Sequence, residues 1–327
     1  VLPFGENLAG SCADFLRTYV LVQATADGTT FTVDLNGDGT PDPLDQNFDG
    51  DTTDPGDTTT VTLQAGQTFF LGNVPINPTP LPRGARATVN SGAVIQGSST
   101  LQVKFVIGDP AATYETRGIS AFPRGYWTQD YYAPVNEPAG GPVTDIFLYN
   151  PNDSILTVDW ETQAGSGSFT IDPGATVSYR AEAGALPTTG GVYLRGSDVF
   201  WGVSTIDSTG PTNEWAYSLL PTTLLYSEHF LGWAPGGADG NDSGVFLTVV
   251  QDNTQVFVDT DADGTADQTY TLDRLQTQYI TDPDGELSGA HFWATGPFTM
   301  AFGQNPDTAP AQATSGDLGY VAIPGTD

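Results

Sequence analysis

The sequence Phe31-Thr-Val-Asp34-Leu-Asn36-Gly-Asp38-Gly39-Thr-Pro-Asp42 joins a short β-strand pattern to an acidic loop, and a second copy follows 225 positions later (259 − 34). The second copy reads Val256-Phe-Val-Asp259-Thr-Asp261-Ala-Asp263-Gly264-Thr-Ala-Asp267. Each copy begins with alternating β-branched or aromatic residues, which favour a half-buried strand. The Asp- and Gly-rich part that follows is typical of a hairpin tip. The chain therefore contains a repeated strand-and-loop unit, which indicates an all-β protein.

Both loops place oxygen-bearing side chains at offsets 0, 2, 4 and 8, with glycine at offset 5. A hard cation such as Ca²⁺ takes about six to eight oxygen ligands, and alternate side chains of a tight loop can converge on it. In the first copy the acidic run continues to residue 54, so residues 34–54 are predicted to hold two ions, with Asp42 or Asp45 bridging. The predicted ligands are Asp34, Asn36, Asp38, Asp42, Asp45, Asn47, Asp49, Asp51, Asp54, Asp259, Asp261, Asp263 and Asp267. The alternative is that the Asp-Gly and Asn-Gly pairs only form turns on a soluble surface.

The rest of the chain repeats the same unit three times. The opening strands are Tyr19–Val22, Ile146–Tyr149 and Val245–Thr248, and the second strands are Phe31–Asp34, Leu156–Asp159 and Val256–Asp259. The middle copy replaces the acidic loop with residues 160–167, so we expect no ion there. No stretch has a sustained helical period. We predict three tandem β-sandwich-like domains, with the boundaries 1–17 (a joining segment), 18–135, 136–235 and 236–327.

The composition limits the classes of function. The chain has 39 acidic and nine basic residues, a net charge of −30, and Lys104 as its one lysine. Such a surface repels phosphates, so nucleic acid is excluded as a partner. It suits a medium in which cations screen the repulsion between acids. No apolar stretch reaches membrane-spanning length. With one cysteine, no internal disulfide forms, and stability outside the cell has to come from cores and metal.

Two resemblances follow from these residues. The run from Asp34 to Asp54 resembles the calcium loops of the thrombospondin type 3 and dockerin class, although strands replace the helices of a true EF-hand. Residues 92–135, with Val103-Lys-Phe-Val-Ile-Gly-Asp109 and Tyr131-Tyr-Ala-Pro-Val135, resemble repeats of large archaeal and bacterial cell-surface proteins. Those repeats are similar to the N-terminal module of IgGFc-binding-type proteins. The resemblance implies extracellular display and a role in adhesion or structure rather than catalysis.

Aromatic joining segments, residues 127–135 and 225–233, precede the second and third units, and residues 1–8 hold the same place before the first. If each segment packs on the preceding unit, the third unit lacks one. Residues 1–10 of another copy would then add a strand to it, and such a head-to-tail contact builds a filament. The alternatives are an ordinary packed terminus or a piece of a longer surface protein.

No catalytic constellation is visible, and we predict that the protein is not an enzyme. His229 and His291 fall in strand patterns, where packing is favoured over metal binding. Seven aromatic residues are interpreted as core or interface, with a sugar-stacking face as the alternative: Trp127, Tyr131, Tyr132, Trp201, Trp215, Trp233 and Trp293. Asn152 and Asn241 begin predicted N-glycosylation sequons.

The features together favour a non-catalytic, calcium-stabilised structural protein at the cell surface, as a subunit of a filament, sheath or surface layer. An adhesin or carbohydrate-binding ectodomain is the alternative, and a secreted hydrolase with paired carboxylates comes third.

Overall fold

The computed structural model describes residues 1–9, 15–73, 83–108, 116–137, 143–206, 215–234, 243–282, 286–304 and 320–321. About 52% of the chain is strand and 6% is helix, which confirms the all-β class, and two of the sheets curl into near-barrels. None of the helices in these ranges has the length and apolar character needed to cross a bilayer. The chain divides into two compact units: residues 1–126 with 174–176, and residues 127–173 with 177–327. The predicted division into three domains stays a prediction.

The first unit contains a five-stranded sheet in the order β5-β4-β1-β7-β8 and a three-stranded sheet in the order β3-β2-β6. All neighbours are antiparallel except β4 and β5, which are parallel. The strands are β1 (Arg17–Ala24), β2 (Thr29–Asp34), β3 (Thr60–Leu63), β4 (Thr68–Gly72), β5 (Gly84–Arg86), β6 (Val94–Gly97), β7 (Leu101–Gly108) and β8 (Thr116–Ser120). Short 3₁₀ helices lie at Glu6–Leu8 and Arg124–Tyr126.

The second unit contains two seven-stranded sheets, whose residues all fall within it except Thr176, the first residue of β13. The strands of the first are β9 (Thr128–Ala133), β10 (Asp145–Tyr149), β11 (Leu156–Thr162), β12 (Gly165–Ile171), β13 (Thr176–Ser178), β14 (Val192–Ile206) and β15 (Trp215–Ser218). Those of the second are β16 (Tyr226–Phe230), β17 (Ser243–Val249), β18 (Thr254–Asp259), β19 (Gln268–Leu272), β20 (Thr277–Ile280), β21 (His291–Gln304) and β22 (Tyr320–Val321). Helix α1 (Tyr179–Ala183) and a 3₁₀ helix at Thr222–Leu224 complete the unit.

One strand order occurs three times. The two large sheets have the paths β12-β11-β14-β10-β13 and β19-β18-β21-β17-β20, which match strand for strand. The first unit has the same path in two pieces. The long strand of the other repeats, β14 or β21, is replaced by two separate strands, β6 and β7. In each repeat the second strand lies beside the long strand (or β6) and ends at the hairpin tip that carries the acidic loop or its replacement.

The joining segments pair with the repeat that follows them. In the second unit, β9 pairs with β14 and β16 pairs with β21. The sequence-based boundaries at 135 and 235 assign these segments to the preceding repeat instead. The reason for the pairing is the aromatic packing: Trp127 stacks on Trp201 with ring centroids 5.5 Å apart, and Tyr131 donates to the Phe200 carbonyl at 2.6 Å.

Residues 1–8 also pack on their own repeat. The Leu2 N–H donates to the Ala93 carbonyl at 2.6 Å, and the Glu6 N–H donates to the Val89 carbonyl at 2.9 Å. Phe4 is fully buried, with its ring 5.6 Å from Phe15 and 6.3 Å from Phe105. The segment that we predicted to add to a neighbour's third repeat is thus part of the first unit's core.

Within the second unit, side chains of one large sheet reach the other. Arg274 lies over the Tyr193 ring, 5.0 Å from its centroid, and makes an ion pair with Glu161. The Thr277 hydroxyl donates to the Pro134 carbonyl at 3.0 Å, and the Gly191 N–H donates to the Leu275 carbonyl at 2.9 Å. Polar bonds and a cation–π contact therefore join these two repeats.

Replacing Phe4 with alanine is expected to destabilise the first unit by about 3–5 kcal/mol, because a buried aromatic ring leaves a cavity when it is removed. The measurement is urea unfolding of the full chain. Tyr126→Ala, at a side chain that is 56% exposed, is the control and should change the free energy of unfolding little. Equal, small effects of both variants would contradict the packing of residues 1–8 on their own unit.

Candidate metal centres

The first acid of each acidic hairpin is the last residue of a strand that points into the core. Asp34 ends β2 and is 6% exposed, and Asp259 ends β18 and is 1% exposed. The preceding residues Val33 and Val258 are buried, so the packed ends of the strands fix the positions of the two carboxylates. An ionised carboxylate at such a position needs donors or a cation to compensate for lost hydration.

Backbone N–H groups of the loop supply part of that compensation. Gly39 N and Gly264 N each donate to Oδ2 of the first acid at 2.7 Å. Asp38 N and Asp263 N each donate to Oδ1, at 3.2 Å and 3.1 Å. The two loops therefore curl around the first carboxylate in the same way, although they differ at four of nine positions.

The side chains at offsets 2 and 4 accept N–H bonds from residues two positions further along the loop. Asn36 Oδ1 accepts from Asp38 N at 2.9 Å, and Asp261 Oδ1 accepts from Asp263 N at 3.2 Å. Asp38 Oδ1 accepts from Thr40 N at 2.8 Å. Each such bond uses one oxygen and leaves further lone pairs for a cation, because a carboxylate or amide oxygen can accept more than once.

The acid at offset 8 closes the loop. Its N–H donates to the carbonyl of the residue before the first acid. Asp42 donates to Val33 and Asp267 donates to Val258, and the N–O distance is 2.8 Å in both. Its Oδ2 accepts from the residue after the first acid, namely Leu35 N at 2.6 Å and Thr260 N at 2.8 Å. In the second hairpin, carboxylate oxygens of the first and last acids, Asp259 and Asp267, lie within 4.8 Å of each other.

Left-handed backbone at offsets 3 and 5 makes the curl possible. The φ angles are 77° at Gly37 and 60° at Ala262, and 90° at Gly39 and 88° at Gly264. Such angles favour glycine, which explains the glycine at offset 5 of both loops.

In the second hairpin the acids form a compact cluster. Asp259, Asp261 and Asp267 each offer a carboxylate oxygen, and these oxygens lie within 4.8 Å of one another. Burial would raise the pKa of Asp259, but the N–H groups of Gly264 and Asp263 hold it below its ordinary value. The Asp263 N–H lowers the pKa of Asp261, yet burial and the neighbouring carboxylates raise it overall. A divalent cation would relieve this repulsion. The cluster offers only oxygen ligands, which suit Ca²⁺.

Residues 45–54 repeat the first half of the loop. Asp45 is 2% exposed, and its Oδ2 accepts from Gly50 N at 2.8 Å. Asn47 Oδ1 accepts from Asp49 N at 3.1 Å, and Asp49 Oδ1 accepts from Asp51 N at 2.8 Å. Each first acid is thus bound by its own loop, which favours separate sites over the predicted bridging by Asp42 or Asp45.

The end of this loop departs from the predicted pattern. Asp51 Oδ1 accepts from Thr53 N at 2.9 Å, and Asp54 Oδ2 accepts from the Asn47 amide at 3.0 Å. Sequence reasoning missed Asp57, whose Oδ1 accepts from Gln46 N at 2.9 Å. Spacing did not reveal it, because Asp57 stands at offset 12 from Asp45 rather than 8.

The second repeat has a tight hairpin at the same place. Strands β11 and β12 pair up to Thr162 and Gly165, and the Thr162 hydroxyl accepts from Ala164 N and Gly165 N at 3.2 Å each. A two-residue turn here replaces the longer acidic loop.

Of the predicted glycosylation sites, Asn241 lies outside the described residues. The Asn152 amide nitrogen donates to Asn150 Oδ1 and to Val199 O, both at 2.9 Å. A glycan on this nitrogen would displace one of these bonds, so the structure lends the prediction no support.

Most of the aromatic residues lie in cores. Trp127, Tyr131, Tyr132, Trp201 and Trp215 are all buried. Trp233 is 53% exposed, and Trp293 is half-buried between His291 and Phe257 in a ladder of stacked rings. His229 is buried against Phe298, and His291 stacks on Phe230 and bonds to Glu228 at 2.8 Å. These contacts favour packing roles for most of the set.

Comparisons with known proteins do not identify the chain. No protein-family model and no curated protein matches it. The chain is weakly similar to a solved structure described as "cAMP bound PfPKA-R (141-441)", at 8% identity over 54% of this chain and 70% of that chain. The TM-score of 0.14 is too low to indicate a shared fold.

In metal-free protein, Asp259→Asn is expected to cost stability at pH 7 and much less in acid. The pKa of Asp259 lies below its ordinary value of 3.8 when folded, so its stabilisation is present above that value and disappears as pH falls through the lowered pKa. Urea unfolding midpoints at several pH values between 7 and 2.5 measure this. Asp153→Asn, at an exposed turn, is the control; an equal offset of Asp259→Asn at every pH would contradict the prediction.

Proposed function

We propose that this protein is a non-catalytic structural component of an extracellular layer, sheath or filament, and that Ca²⁺ bound to its acidic loops stiffens it. One observation carries the proposal. Two loops from different repeats, identical at five of nine positions, form the same N–H bonds to a buried first aspartate and to a closing aspartate. Turn formation alone does not require a closing acid at offset 8 whose carboxylate binds the N–H next to the first acid.

The proposed location follows from charge and ion supply. A surface with a net charge of −30 repels itself, and bound or screening cations reduce that cost. Calcium sites of extracellular modules have dissociation constants of about 10⁻⁴–10⁻³ M, and sites of this affinity on the acidic loops would fill in extracellular fluid. The resemblance to cell-surface repeats is in keeping with this location.

The packing of residues 1–8 bears on the mode of assembly. Strand addition by residues 1–10 would require residues 1–8 to leave the core of the first unit, where Phe4 is buried. A contact between folded copies avoids that cost. Exposed aromatic side chains at Tyr226, Phe230 and Trp233, between 48% and 56% exposed, are candidates for such a contact.

The alternative of a carbohydrate-binding ectodomain loses most of its predicted aromatic face, because five of the seven residues are buried. Stacking on a sugar ring needs exposed ring faces. We therefore favour the structural role over the adhesin.

Calcium is expected to raise the melting temperature of the protein, since a ligand that binds only the folded state stabilises it by about 2.7 kcal/mol at one hundred times its dissociation constant. Calorimetry in CaCl₂ and in EDTA measures this, and MgCl₂ serves as the control cation, because Mg²⁺ demands a smaller octahedral site. Combining Asp34→Asn with Asp259→Asn should remove most of the shift. Identical melting curves in calcium and EDTA would overturn the calcium part of the proposal.

Electron microscopy of the purified protein tests the assembly. Filaments or sheets are expected in CaCl₂ and should shorten or dissolve in EDTA, because chelation restores the repulsion between acidic loops. Deleting residues 1–8 distinguishes the route: loss of polymers with retention of folded monomer favours strand addition. Monomers under all conditions would contradict assembly.

A further inference from the structure

We propose that residues 45–57 form a third calcium site, separate from the other two, and that Asp57 rather than Asp54 is its closing ligand. This inference rests on the proposed calcium binding. It goes beyond the spacing pattern, which points to Asp54 as a ligand and to two ions in residues 34–54 that are bridged by Asp42 or Asp45.

The backbone of this loop matches the other two. Phe48, at offset 3 from Asp45, has a φ of 63°, and Gly50, at offset 5, has a φ of 93°. A buried phenylalanine adopts this left-handed conformation at a cost, so the rest of the loop has to impose it. The match in φ and in the Gly50 bond to Asp45 identifies the same loop conformation in a different sequence.

Asp57 takes the place of the closing acid. In the other loops the closing acid accepts from the residue after the first acid; here that residue is Gln46, and its N–H donates to Asp57 at 2.9 Å. The residue before the first acid, Leu44, pairs with Thr58, the neighbour of Asp57, and its N–H donates to the Thr58 carbonyl at 3.2 Å. The extra residues 51–54 form a turn that moves the closing acid from offset 8 to offset 12.

Two buried oxygens point to a ligand. Among the described residues, Asp45 Oδ1 and Asp57 Oδ2 are shielded from water and accept no hydrogen bond. Asp45 itself is 2% exposed, and its other oxygen is bound by Gly50 within the loop, so the carboxylate faces the loop interior. In the other two loops both oxygens of the first acid accept N–H bonds. An unpaired buried carboxylate oxygen is costly, and a divalent cation between the two acids would satisfy both oxygens.

The test counts calcium ions on the full chain. Isothermal titration of chelator-treated protein with CaCl₂ is expected to give three ions for wild type, two for Asp57→Asn and three for Asp54→Asn. Asp54→Asn removes the same charge from the same loop and is the matched control. Loss of the closing carboxylate should weaken the third site by at least about tenfold, since even second-shell changes cost that much.

The outcomes separate the two proposals. No calcium on wild type overturns the proposed function and this inference together. Two ions on wild type, or three on Asp57→Asn with unchanged affinity, overturn the inference alone, as does loss of the third ion in Asp54→Asn only. If Asp57→Asn does not fold in EDTA as judged by circular dichroism, a crystal structure of wild type in CaCl₂ decides: an ion bonded to Asp45 Oδ1 and Asp57 Oδ2 upholds the site, and its absence there overturns it.

Discussion

The acidic loops depend on one interaction, the bond between a loop N–H and the carboxylate of the buried aspartate at which the loop begins. In the three loops this donor is the glycine at offset 5, and its distance to the carboxylate is 2.7–2.8 Å. At Asp34 and Asp259 the bond fixes the loop, because each of these residues ends a strand that is packed in the core. Everything else in the site, including the position of the closing acid, follows from a loop anchored at that point.

The repeated strand order explains why the loops recur where they do. The second strand of each repeat pairs with the long strand or with β6, and its last residue lies at the rim of the sheet. A loop placed there can lengthen, shorten or gain acids without disturbing the core. The two-residue turn of the second repeat and the long insertion of the first are two results of that freedom.

Alternation of apolar and polar residues was sufficient to predict strands such as β1 and β3, because each of them has one buried face. It was not sufficient to predict their partners: an aromatic alternating segment such as Trp127–Ala133 indicates a half-buried strand, but not which sheet buries it. The length of β14 was also hidden, since Gly196 suggests a break, whereas the strand continues past a register shift between Arg195 and Phe200. Spacing singled out the side chains at offsets 0, 2, 4 and 8 of the loops at 34–42 and 259–267, because those loops are local, and their metal binding stays a prediction. Asp57 was missed because the chain folds back over an inserted turn to reach Gln46.

The contact that Arg274 makes with Tyr193 and Glu161 has a mechanical consequence. Under tension, the second and third repeats are expected to behave as one mechanical element. Separating them requires breaking the Arg274 contacts and the hydrogen bonds to the Pro134 carbonyl. Such coupling raises the force needed to unfold the first of the coupled repeats. Extension under smaller forces then takes place in segments outside the coupled pair. For the proposed structural role, this means that the two repeats would yield together under tension rather than one after the other.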